Sequence, residues 1–87
     1  MQLMMLLLKD QTYLIAQTEQ LEMEPRCHLF EPMVLGGKTK LTLTPWPSYT
    51  DEKHILIHSD SLLTVCEPSQ QVLDAYLKKI GKTADDF

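Results

Sequence analysis

Residues 55–69 read ILIHSDSLLTVCEPS. Two short apolar runs, 55–57 and 62–65, flank the polar centre His58-Ser59-Asp60-Ser61, and Pro68 stops the second run. Isoleucine, valine, leucine and threonine in runs this short suit strands. Four residues suffice to reverse or sharply bend a chain, and Asp and Ser stabilise such a bend by bonding nearby backbone groups. The stretch therefore predicts a strand over 54–58, a tight polar pivot, and a strand over 62–67. A pivot of that kind closes a small, strongly bent β-barrel.

Upstream, residues 3–8 are a continuous apolar run, Lys9-Asp10-Gln11 supplies a polar turn, and Thr12-Tyr13-Leu14-Ile15 opens a second strand. That strand is expected to continue to about residue 22, until EMEPR, where Pro25 is incompatible with a central ladder position. A third strand is expected over 26–35, bent near Pro32. Gly36-Gly37 then reads as a hairpin turn with positive φ at both residues, and Lys38, Lys40, Thr42 and Thr44 alternate with Thr39, Leu41 and Leu43 along the returning arm. The segment PWPSYTDEK is an extended connection carrying Trp46 and Tyr49. These two aromatics are either anchors for a partner or a lid on their own barrel.

Downstream lies the one clear helix. Ser69 is its N-cap, Val72, Leu73, Tyr76, Leu77 and Ile80 form an apolar stripe, Lys78-Lys79 oppose the negative end of the dipole, and Gly81 is the stop. An isolated helix of this length is marginal in water, so its stripe must be buried against the sheet or a neighbour. The expectation is a mainly β, five-stranded antiparallel bent barrel over about 3–67, with a strand 3–4 hairpin arm and a C-terminal helix over about 69–80, all within a single domain spanning 1–87.

The chain has 87 residues, 44% hydrophobic and 23% charged, so its core is thin and association with copies of itself would add buried surface. The opening apolar run falls far short of the roughly 20 residues that cross a bilayer and has no basic residue ahead of it, so it reads as a strand rather than a membrane or targeting segment. Cys27 and Cys66 lack the dense spacing of a secreted disulfide scaffold, which points to free thiols and a cytoplasmic setting. The net charge of −4, with Arg26 the single arginine, disfavours nonspecific binding to phosphate backbones.

Motif order carries a family resemblance. From residue 6 to 29 the chain reads LLLKDQTYLIAQTEQLEMEPRCHL. This resembles the first motif of Sm-like proteins: a strand, a turn matched by Lys9-Asp10, a second strand with a small residue matched by Ala16, an apolar position matched by Leu21, an acid matched by Glu22, and a third strand. The second family motif, an apolar strand ending in a basic residue and glycine before another apolar strand, is matched by ILIHSDSLLTV, with His58 at the basic position and Ser59 at the glycine. Within that family the stretch 48–69 is most similar to the small phage-encoded kind.

The resemblance implies a ring of about five to seven copies, in which the strand 54–58 of one subunit pairs with the strand 62–67 of the next. Ring contacts would then come from His54, Ile55, Leu56, Ile57, Leu62, Leu63, Thr64 and Val65. It also implies single-stranded RNA near the pore, at Glu24, Arg26, His58 and Ser59. The chain departs from the family by starting on a strand, by carrying Glu24 where an aromatic or histidine stacks on a base, and by Arg26 in place of an asparagine. Arg26 and His58 are able to stack on or bond a base; the competing reading has His58 capping a strand and Arg26 paired with Glu22 or Glu24.

No cofactor, metal or catalytic constellation is expected. VLGGKTK lacks P-loop spacing, no nucleophile stands beside a base, and His54 and His58 on one strand are roughly 13 Å apart. The alternative to RNA binding is an oligomeric scaffold that engages protein through the Trp46 loop or the terminal helix.

Overall fold

The computed structural model describes residues 1–19 and 26–87. Six strands form one antiparallel sheet: β1 (Gln2–Leu8), β2 (Tyr13–Thr18), β3 (Arg26–Gly36), β4 (Thr42–Pro45), β5 (His54–His58) and β6 (Leu62–Cys66). One α-helix among the described residues, α1 (Gln70–Ile80), follows them. The β1–β2 turn forms at the expected polar break, where Gln11 takes φ 75° and the Asp10 carboxylate accepts the Thr12 N–H at 3.0 Å.

β3 organises the sheet because it changes partner halfway. Ile15 faces Met33 and Gln17 faces Phe30, so Ala16 opposes two residues, Glu31 and Pro32, in a β-bulge with Glu31 at φ 48°. Pro32 has no N–H to lose, which suits it to that interruption. Before the bulge β3 pairs with β5; after it, Met33–Gly36 pairs with β4. The Glu31 N–H donates to the Lys53 carbonyl at 2.6 Å and the Pro32 carbonyl accepts the Trp46 N–H at 3.0 Å, tying both ends of the 46–53 connection to the bulge.

Two apolar clusters lie on opposite faces of the sheet. On one face Leu6, Leu8, Leu14, Ala16 and Leu29 are buried, with Trp46, Ile57, Leu62 and Val65 packed against them. On the other, Ile15 and Met33 are buried under Tyr76 of α1, flanked by Val72 and Ile80. The helix thus buries its stripe on its own sheet. Ser69 Oγ accepts the Val72 N–H at 3.3 Å, and Gly81 at φ 72° ends the helix, with the Lys82 N–H donating to the Leu77 carbonyl at 3.0 Å.

Three expectations need correction. The sheet order is β4-β3-β2-β1-β6, with β5 added on β3. Among the described residues there are six strands rather than five, because the hairpin arm over Thr42–Pro45 joins the sheet, with Leu43 opposite Leu35 and both against the helix-side cluster. The sheet is also not closed into a barrel: the pivot at 59–61 forms one turn of 3-10 helix and sends β6 to β1, while β5 stays on β3. Finally, Gly36 ends β3 with ordinary φ, and only Gly37, at φ 97°, takes the left-handed region, in a loop spanning 37–41. Among the described residues no helix is long and apolar enough to cross a membrane.

Candidate functional site

The register between β3 and β5 sets the geometry. Arg26 faces His58, Cys27 faces Ile57, His28 faces Leu56, Leu29 faces Ile55, and Phe30 faces His54. Successive strand residues point to opposite faces. Leu29 and Ile57 belong to the inner cluster, so Arg26, His28, Phe30, His54, Leu56 and His58 share the other face. α1 covers that face at Ile15 and Met33 and leaves this strip open, with Arg26, His54, Leu56 and His58 exposed.

Arg26 and His58, widely separated in sequence, stand directly opposite each other at one end of the strip. His58 also caps the pivot. Its Nδ1 accepts the Asp60 N–H at 3.1 Å, and the Asp60 carboxylate lies 3.4 Å from the same nitrogen. Only an unprotonated Nδ1 accepts that N–H, and only a protonated one donates to the carboxylate, so the two contacts belong to different forms of the ring. Ser59 begins the 3-10 turn, half-buried, and its carbonyl accepts the Leu62 N–H. Glu24, and the Glu22 and Glu24 partners considered for Arg26, lie outside the described residues.

At the other end of the strip, His28 Nδ1 and His54 Nε2 are 2.9 Å apart, and the His54 ring stacks on Phe30 at 4.3 Å between centroids and 14° between planes. His54 and His58, on one strand, are too far apart to act together; the fold instead brings His54 to His28. The alternation 26, 28, 30 was available as a signal, but the strand placed beside it was not.

The residues expected at subunit contacts occupy β5 and β6. Among the described residues, β5 pairs only with β3 and β6 only with β1, so each has one edge with no strand beside it. Each also exposes a leucine: Leu56 is 52% and Leu63 57% exposed. Leu63 is the extra residue where the β1–β6 register shifts between Leu7 and Leu8. Ile57, Leu62 and Val65 turn inward onto the core, Ile55 is half-buried, and His54 and Thr64 are exposed. Trp46 packs on the inner cluster, whereas Tyr49, three residues later, is fully exposed at φ 70°.

Tyr76, which sequence reading assigned only to the helix stripe, holds the bulge in place. Its hydroxyl donates to the Glu31 carbonyl at 2.9 Å, lies 3.4 Å from the Phe30 carbonyl, and accepts from Gln17 Nε2 at 3.3 Å. Burial pushes its phenol up to about 12. Burial likewise raises the Cys27 thiol, which disfavours its thiolate form.

Comparison with curated proteins gives no match. Residues 1–81 match DUF6561, a family of unknown function, and the chain belongs to that family.

Proposed function

We propose that this protein assembles with copies of itself into a Sm-like ring and binds single-stranded RNA near the pore, as a binding protein rather than an enzyme. One observation carries the assembly: among the described residues, β5 and β6, joined by a single 3-10 turn, each have an edge without a strand and an exposed leucine beside it. An edge of this kind is a template for another chain. The order β5-β3-β2-β1-β6 supports the Sm-like reading, with the break between β5 and β6 filled by neighbours.

The two edges are different surfaces, so β5 of one copy meeting β6 of the next is a head-to-tail contact, which closes a ring when the rotation permits. About five to seven copies are expected from the resemblance. Arg26 and His58 then repeat once per copy, and repetition multiplies a weak contact into useful affinity. With a net charge of −4 per chain, affinity has to come from base stacking and hydrogen bonding at these residues more than from phosphate attraction. The unbonded cysteines Cys27 and Cys66 are compatible with a reducing, cytoplasmic setting.

Fluorescence anisotropy with labelled U-rich and A-rich oligonucleotides at moderate salt tests the RNA contact. The expected result is binding that weakens with salt and falls at least about tenfold in Arg26→Ala and in His58→Ala. An assembled protein that binds neither oligonucleotide favours the second reading, a ring-shaped scaffold that engages protein. The acidic charge and the fully exposed Tyr49 support that reading.

A further inference from the structure

We propose that His28 and His54 form a binding site for a divalent transition-metal ion, Cu²⁺ or Ni²⁺. Imidazole nitrogen is a good ligand for such ions, and here two of them, His28 Nδ1 and His54 Nε2, already lie 2.9 Å apart on adjacent strands. With their centroids 5.1 Å apart the two rings meet nitrogen to nitrogen, so 2.9 Å is the separation of a shared proton, and rotation of both rings turns the two lone pairs toward a common ion. Among divalent ions an imidazole site binds Cu²⁺ most tightly.

The surroundings favour the same outcome. His54 is exposed and His28 half-buried, so the rings are able to swing from pointing at each other to pointing at a shared ion without disturbing either core cluster. In the metal-free pair one nitrogen donates a proton to the other. On binding, that proton leaves the shared position and the ring carries it on its far nitrogen, so both ligands are neutral imidazoles and no oxidation or reduction occurs. No group of three His, Cys, Asp or Glu side chains converges among the described residues, so water fills the remaining coordination positions.

The test uses the full chain. Cu²⁺, Ni²⁺ and Zn²⁺ are each titrated in the presence of a weak competing chelator, with Cu²⁺ also followed by electron paramagnetic resonance. The expected result is one Cu²⁺ per chain with nitrogen hyperfine coupling, Cu²⁺ bound more tightly than Ni²⁺ or Zn²⁺, and at least a tenfold loss in each of His28→Ala and His54→Ala. Paramagnetic broadening in the unmodified protein supplies a second readout, centred on the amides of residues 28 and 54. Undiminished Cu²⁺ affinity in the double variant, or broadening centred on the amino terminus or on residue 58, would overturn the proposal.

Discussion

Tyr76 shows how much one hydroxyl holds. The bulge frees the Glu31 carbonyl from the β2–β3 ladder, and a buried carbonyl without a donor costs about 1–3 kcal/mol. The Tyr76 hydroxyl supplies that donor and satisfies Gln17 as well. Tyr76→Phe should therefore lower stability by about 1–3 kcal/mol, read from the denaturant midpoint. The phenol also sets a pH dependence. Its value is raised from the ordinary one near 10 to about 12, so the neutral form is favoured by folding. The associated stability is fully present below about pH 10 and is lost as pH rises toward 12. The difference between the wild type and Tyr76→Phe should shrink over that interval; a constant difference would contradict the assigned burial. Sequence periodicity put Tyr76 on the buried stripe of the helix but could not pair it with a carbonyl forty-five residues upstream. The same limit hid the meeting of His28 and His54: alternation tells which face a residue takes, while its neighbour depends on a register set across the chain.

Among the elements, those with local signals were legible. The turn at 9–12, the strands on either side of the pivot, and α1 between Ser69 and Gly81 all follow from residues within one or two turns of each other. β4 is legible only as an arm, because its place in the sheet depends on the partner change at the bulge, which no local pattern encodes. The β3–β4 loop provides a direct test of backbone geometry. Gly37 has φ 97°, and a Cβ there would collide with the Lys40 carbonyl, whereas a Cβ on Gly36 would lie 3.3 Å from Thr42 Oγ1 at ordinary φ. Gly37→Ala should cost more than about 1 kcal/mol, a fall of about 4–8 °C or more in Tm, and Gly36→Ala clearly less. Equal effects would mean that a two-glycine turn, rather than the wider loop, joins these strands.

For the whole molecule, the central claim is that the outer edges of β5 and β6 are filled by other copies of the chain. Among the described residues those edges carry no strand, and α1 lies on the sheet face over Ile15 and Met33. Mass in solution tests this most directly, by light scattering or native mass spectrometry at micromolar concentration. The account predicts a discrete species of about five to seven times the 10.0 kDa chain, and its collapse to lower mass in a folded Leu56→Lys, Leu63→Lys variant, since buried charges at an edge oppose pairing. A wild-type protein that stays at 10.0 kDa across that concentration range would contradict it.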